Sequence, residues 1–556
     1  MTAFEDRPTS TARSLNMPTL WVLSILVGVV AGLGAVAFRA LISFFHNLLF
    51  LGKVSATYNA NAHTPPSPWG AFVILVPVAG AAGVAFLVKN FAPEAKGHGV
   101  PEVMDAVYHR RGIIRPVVSI VKALASSLSI GSGGSIGREG PIIQIGSSFG
   151  STVGQVLNLP AWQRITLIAA GAGGGIGATF NTPVGGVLFA VEIVLHEVSV
   201  RTLVPVVTAT ATATYIGQIF FGPHPAFYVP ALESPLFELT KPELLLAYAG
   251  LGAIAGLVSA VFIWSIYGCE RFFDRHVKGG YYVQHMAGML LAGILIYLLM
   301  RFFGHYYVEG VGYATIQDVL SDLPYPLYLL VLLFAAKLFA TSLTLGSGAS
   351  GGVFSPSLFL GATSGAAFAI GLNHLIPALH VSPAAFAIVG MGAVVGGATA
   401  AAMAAIVMIF EMTLDYTVII PMTLTVAISY AVRRSLIKDS IYTRKLTQRG
   451  DSVPETMRAD VPFSRRAVDV MRTWNGEASA DLAAVQGNGS SKGYVTVPRN
   501  ASLLDVIAKM SASNAAIALV TSADGDRGID LARVEGVINR KDILDRLAND
   551  MELFVD

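Results

Sequence analysis

From Leu20 to about Val432 the chain returns repeatedly to apolar stretches close to the length that crosses a bilayer as a helix. LWVLSILVGVVAGLGAVAF, AFVILVPVAGAAGVAFLV, LLLAYAGLGAIAGLVSAVFIW and MAGMLLAGILIYLLM are examples. About 20 apolar residues in a helix cross the hydrocarbon, and a strand with an open edge cannot satisfy its backbone there. The expectation is an all-α polytopic membrane protein. Composition agrees, with 53% hydrophobic and 13% charged residues in 556, where soluble domains carry about 25% charged. The formal net charge of +2 is spread along the chain and points to neither nucleic acid nor another polyanion. A single cysteine, Cys269, leaves no intrachain disulfide and no cysteine metal site, and no metal site is expected.

The first apolar run is long for a secretory signal and has no clear small-residue cleavage site before a polar mature sequence. Arg7 and Arg13 precede it, His109, Arg110, Arg111 and Arg115 form a second basic group, and Arg433, Arg434, Lys438, Arg444 and Lys445 follow the last span. Basic loops of this kind stay on the cytoplasmic side. The expected placement is a multi-pass protein of the cell (inner or plasma) membrane with both termini cytoplasmic, residues 1–18 forming a cytoplasmic segment.

The sequence also repeats itself. Shifted by 215 residues, KALASSLSIGSGGSIGREGPIIQIGSSFG (Lys122 to Gly150) lies over KLFATSLTLGSGASGGVFSPSLFLGATSG (Lys337 to Gly365), with 12 identities in 29 positions. GAGGGIGATFNTPVGGVLFAVE (Gly171 to Glu192) similarly resembles GMGAVVGGATAAAMAAIVMIFE (Gly390 to Glu411). Small residues are common at membrane helix contacts, but composition alone does not place a Lys, a Gly-Ser-Gly and a Gly-x-x-x-Pro in one register. Two duplicated halves follow, about 19–230 and 240–447. Such halves characterise transporters in which broken helices meet near the bilayer midplane.

Four glycine-rich breaks stand out: KGHGVPE, GSIGREGP, SGGVFSP and GATFNTP. A helix begun at such a break aims free N–H groups and a partial positive charge at whatever faces it, which favours an anion. Acidic residues inside the apolar stretches are few, chiefly Glu139, Glu192 and Glu411, whereas a cation pathway is lined by carboxylates and carbonyls. Glu192 and Glu411 read as structural hydrogen-bonding groups. Lys122 and Lys337 each precede a break by 17 residues and are expected either to draw anions toward a pore mouth or to snorkel to the interface.

GHGVPE at 97–102, GREGP at 137–141, GVFSP at 352–356 and Tyr442 near the last span resemble, in order and approximate spacing, the selectivity stretches of the CLC chloride channel and H⁺/Cl⁻ antiporter family. The resemblance covers about residues 19–447. It implies an inverted-repeat fold with many tilted and broken helices, a homodimer with one pore per subunit, and chloride or a similar small anion as the transported species. It implies that Glu139 is the gating glutamate, whose carboxylate occupies an anion position until it is protonated or displaced. His98, Gly99, Arg138, Glu139, Gly140, Val353, Phe354 and Tyr442 would line the anion sites, largely through backbone amides. The family is not enzymatic, and no cofactor is required.

Two positions depart from the family pattern. His98 stands where most members have the serine whose hydroxyl binds the central anion, and it could instead cap the break. Ile193 stands where antiporters have their inner proton-transfer glutamate, next to Glu192. Glu197, one turn on, and His98 are the alternative proton carriers. The expected function is channel-like anion transport gated by Glu139; H⁺-coupled anion antiport is the alternative, and a CBS-containing cation transporter a third reading.

After about Thr447 the composition becomes polar. Residues 448–556 read as a linker and a cytoplasmic α/β appendage, because short β-like runs alternate with amphipathic helical ones. VTVPRNASLLDVIAKM, IALVTSADG and VEGVINRKDIL resemble a CBS domain, clearest over 493–548, with VPETMRADVPFSRRAVDVM as a shortened first copy. In such domains a hydroxyl residue and an Asp hold an adenine nucleotide. Asp542 matches, whereas Asn539 replaces the hydroxyl; a dimer contact is the other use of this surface.

Overall fold

The computed structural model describes residues 14–196, 198–229, 242–451, 453, 466–473, 494–513, 515–521 and 534–544. It divides into two compact units, residues 1–445 and 446–556. Arg7, Arg13, Glu197 and most of VPETMRADVPFSRRAVDVM lie outside the described residues.

The first unit is helical throughout and follows the duplication. Its first half holds α1 Met17–Leu51, α2 Val76–Asn90, α3 Val100–Tyr108, α4 Val117–Gly131, α5 Glu139–Val156, α6 Ala161–Phe180, α7 Pro183–Phe189 and α8 Val200–Phe221. The second half repeats that order: α9 Pro242–His276, α10 Gly280–Phe303, α11 Tyr313–Leu320, α12 Leu327–Gly346, α13 Phe354–Leu375, α14 Pro383–Thr399, α15 Ala402–Thr413 and α16 Ile419–Leu436. Local chemistry sets several starts. Asn16 accepts from the Thr19 amide to cap α1, Ser199 accepts from Thr202 to cap α8, and Ser382 with Pro383 opens α14, as short polar caps and an N1 proline do.

Among the described residues, eight helices are long and apolar enough to cross a membrane, and four shorter apolar ones accompany them. Large apolar side chains such as Val22, Phe72, Ile120, Tyr215, Leu246 and Phe302 are exposed, which suits a lipid solvent. Contacts inside one half recur inside the other: α5 with α6 and α13 with α14, α6 with α8 and α14 with α16, α1 with α8 and α9 with α16. The closest approaches recur too. A Cβ on Gly146 or Gly171 would collide with the other's carbonyl, and Gly361 and Gly390 stand in the same relation. Glycine lets these helix backbones touch.

The halves are joined by exchanged polar groups. Gly137 N–H donates to Gly352 O and Gly352 N–H to Gly137 O, both at 2.7 Å, in an antiparallel bridge. Glu192, on the π-helical turn Ala190–Leu195 after α7, accepts from the Met403 and Ala404 amides at 3.2 and 2.8 Å, at the start of α15. Reciprocally, Glu411 on α15 accepts from the Val184 and Gly185 amides at 3.0 and 2.7 Å, at the start of α7. GATFNTP is therefore a break whose helix start faces a carboxylate of the other half.

Lys122 and Lys337 correct the expectation placed on them. Both are fully buried and neither reaches an interface. Lys122 donates to Ala95 O and Gly97 O at 3.0 and 2.8 Å; Lys337 donates to Val308 O and Gly310 O at 3.1 and 3.0 Å. Each ammonium thus staples the Gly-x-Gly turn that precedes a short broken helix, α3 or α11. The GVGY turn at 310–313 is the counterpart of GHGV at 97–100, displaced by 213 rather than 215 residues, so the sequence shift used to find the repeat passes over it.

The helix α17, Thr443–Arg449, follows a turn at 440–443. In the second unit, β1 Arg472–Thr473, β2 Tyr494–Pro498, β3 Ile517–Thr521 and β4 Val534–Asn539 form one sheet in the order β1-β4-β3-β2. β2 and β3 run parallel, as a crossover through α19 Leu503–Ala512 requires, and β4 is antiparallel to both its neighbours. Val497, Leu503, Val506, Met510, Ala518, Val520 and Ile538 form its core, with Ala467 and Val470 of the short α18 Ala467–Val470 packed on it.

Candidate functional site

The Gly137–Gly352 bridge brings the first turns of α5 and α13 together, each with N–H groups that a helix cannot satisfy internally. Glu139 opens α5 and is 1% exposed. Its carboxylate crosses to the other half: Oε2 accepts the Ser355 amide of α13 at 3.2 Å, and Oε1 accepts the Tyr313 hydroxyl of α11 at 2.7 Å and the Ser355 hydroxyl. Tyr313 and Ser355 hydroxyls are themselves 2.8 Å apart. Three donors thus converge on one negative group at a helix N-terminus, the arrangement that binds an anion.

The remaining residues named from sequence gather around this point. A Cβ on Gly140 would strike the His98 carbonyl, and one on Gly99 would meet Gly140 O at 2.8 Å, so the His98–Gly99 turn rests directly on the start of α5. Val353 precedes α13 as its N-cap, and Phe354, its first residue, packs its ring 5.7 Å from Phe180. The amide that holds the Glu139 carboxylate is that of Ser355, one residue beyond the Val353–Phe354 pair. Arg138 places its guanidinium 5.2 Å from the Tyr313 ring centre.

His98 is buried, with its ring edge-on to Tyr267 at 6.0 Å between centroids. The Tyr267 hydroxyl donates to Ile441 O at 2.6 Å, and Ile441 N–H donates to Ala398 O at 2.8 Å. These bonds fix the turn that carries Tyr442, which is 2% exposed. Tyr267 therefore links His98 to Tyr442, a connection with no signal in the sequence because α9 is an ordinary apolar span around it.

Ile193 is buried at 3% exposure in the π-helical turn and offers no titratable group. Beyond it, His196 takes a left-handed backbone (φ 49°) and its Nδ1 lies 2.8 Å from the Tyr108 hydroxyl, which also donates to Leu195 O at 2.8 Å. Burial lowers the His196 pKa to about 4. Asp105 and Glu309 are among the buried carboxylates not singled out from sequence. Asp105 pairs with Arg110 at 2.6 Å, and Glu309 pairs with His46 at 2.7 Å. Among the described residues no group of acidic, histidine or cysteine side chains could hold a metal.

In the second unit, Asn539 and Asp542 bond to each other's amides, Asp542 N–H to Asn539 Oδ1 at 2.8 Å and Asn539 N–H to Asp542 Oδ2 at 3.0 Å, and Asp542 also pairs with Arg472. This is a reciprocal helix cap.

A family profile described as voltage gated chloride channel matches residues 79–434. A ClcB-like chloride channel protein of Ralstonia nicotianae is 31% identical over 441 residues, 79% of this chain and 99% of the relative. The H⁺/Cl⁻ exchange transporter ClcA of Vibrio parahaemolyticus is 33% identical over 371 residues, 65% of this chain and 76% of the relative. Among solved structures, a slow cyanobacterial Cl⁻/H⁺ antiporter superposes with a TM-score of 0.68 at 25% identity, covering 78% of this chain and 99% of that one.

Proposed function

Because the chain belongs to the voltage gated chloride channel family, we propose that it exchanges a small anion, chloride first, for protons across the membrane. This reverses the preference for a passive pore drawn from Ile193. Relatives named as H⁺/Cl⁻ exchangers and the likeness to an antiporter structure favour coupling, and one observation carries the reading: the Glu139 carboxylate sits as a tethered anion on Ser355 and Tyr313 donors.

Ionised, Glu139 competes with chloride for those donors. Protonated, the carboxyl loses its charge and most of its attraction for them, and a mobile anion takes the place. One proton is thereby bound for each vacancy opened, which couples the two fluxes. Ile193 offers no titratable group for relaying that proton, so His98, whose turn rests on the start of α5, and Glu197, which lies outside the described residues, are the carriers assigned to the onward step. The family resemblance further supports a two-subunit assembly with a pore in each, the basic loops favour cytoplasmic termini, and the CBS-like tail is assigned an adenine nucleotide or a dimer contact.

The test uses purified protein in sealed vesicles. An imposed chloride gradient is expected to drive protons uphill in the opposite direction. Chloride flux with no proton movement above that of empty vesicles would identify a passive pore.

A further inference from the structure

Arg138, immediately before Glu139, lines a cavity together with Arg39 and Ser43 of α1, His46, Tyr58 and Glu309. Two guanidinium groups share this space, and among the described residues neither has a carboxylate within ion-pairing distance. Arg39 lies 4.3 Å over the Phe221 ring and Arg138 lies over Tyr313 and Phe180. Arg138 is 8% exposed, and its Nε has no hydrogen-bond partner.

Among the described residues, the one carboxylate lining the cavity is already engaged. Glu309 Oε1 meets His46 Nε2 at 2.7 Å, and the Thr64 hydroxyl lies within 3.3 Å of both. Their outer atoms, Glu309 Oε2 and His46 Nδ1, are buried without partners. A second cavity shares Tyr58 and Glu309 and runs to Tyr306, Tyr307 and Tyr313, whose hydroxyl holds Glu139. The polar space thus ends at the donors of the anion position.

We propose that the space between Arg39 and Arg138 is a docking site for a monovalent anion on the approach to Glu139, filled only when the His46–Glu309 pair has taken up a proton. This rests on the reading of the chain as an anion exchanger. With Glu309 ionised and His46 neutral, the pair carries one negative charge that offsets one guanidinium, and Oε2 repels an entering anion. One added proton, shared between His46 Nε2 and Glu309 Oε1, neutralises the pair and leaves both guanidinium charges for the anion. The other groups facing the pair are the Tyr58 and Tyr306 phenols, Lys337, whose ammonium donates to the Val308 and Gly310 carbonyls, and Glu139, which is held by its own donors. His63, next to the second cavity, is engaged by Asp318 at 2.6 Å.

The experiment separates this site from Glu139 by removing the latter's titration. In vesicles carrying Glu139→Gln, anion flux should still rise roughly tenfold as the pH on the cavity side falls from about 8 to about 5. Adding Glu309→Gln should abolish the rise and hold flux at the acid level. Arg39→Gln in the same background should raise the half-saturating chloride concentration roughly tenfold at the lower pH. An unaltered rise in the Glu139→Gln, Glu309→Gln protein, a flat profile before that second change, or an unchanged half-saturating concentration overturns the proposal. Unsubstituted protein crystallised in bromide gives an independent reading: anomalous density between Arg39 and Arg138 at about pH 5 and none at about pH 8 is expected. No density at either pH, or equal density at both, overturns it. None of these readouts needs coupled proton movement, so a failure of exchange in the unsubstituted protein remains distinct.

Discussion

The Glu139 carboxylate takes its donors from two helices of the other half, so its ionised form is stabilised by Ser355 and Tyr313 together. A charge-assisted hydrogen bond is worth about 1.5–3 kcal/mol, and 1.4 kcal/mol is about one pH unit. Losing a donor makes protonation easier. Ser355→Ala and Tyr313→Phe should each move the acid activation of anion flux to higher pH by about one unit, read as flux against pH in vesicles. An unmoved profile in both would remove these donors from the account. His98 meets the site through its backbone at Gly140 and through its ring at Tyr267. His98→Ser should therefore change the ratio of chloride to nitrate flux about twofold or more, about 0.4 kcal/mol; equal ratios would leave only the backbone role. Glu139, His98, Gly140 and Val353 were named because each stands on a glycine-rich break whose motif resembles a stretch of the family, and the structure brings them together around the start of α5. Ser355 stood inside the motif GVFSP with nothing to distinguish its side chain from a helix-start serine. Tyr313 follows a turn whose register had slipped by two residues, so the repeat did not point to it.

At the scale of elements, each half lends the other a carboxylate. Glu192 caps α15 and Glu411 caps α7 through two amides apiece. Removing one leaves two helix-start N–H groups without an acceptor. Glu192→Ala and Glu411→Ala should each destabilise the protein by roughly 1–3 kcal/mol, by comparable amounts, as thermal melts in detergent would show. Loss of coupling from Glu192→Ala with an unchanged melt would instead make that residue part of the proton route. The duplication in sequence foretold two matching sets of helices, and these glutamates were read separately as making structural hydrogen bonds or lining dimer or helix contacts. It could not foretell that the partners are exchanged between halves, because register within a repeat says nothing about which copy a side chain faces. The lysine pair makes the same point: matched positions were visible, but their carbonyl partners were not.

For the whole molecule, the apolar spans and their repeat were enough to read a duplicated polytopic helical protein, and the resemblance to the CLC family added the inverted-repeat fold; the paired elements α1–α8 and α9–α16 bear out the duplication, and the likeness to a solved antiporter bears out the fold. Function was harder to read, because Ile193 alone suggested a passive pore while the relatives and the tethered carboxylate favour exchange. Glu139 is proposed to serve both as a stand-in anion and as the proton carrier, a double role tested most directly by the zero-current voltage of vesicles holding equal chloride and unequal pH on the two sides. A voltage shift set by the proton gradient is expected in the unsubstituted protein, and no shift in Glu139→Gln, which should still pass chloride. No shift in the unsubstituted protein, or the same shift in both, would contradict it.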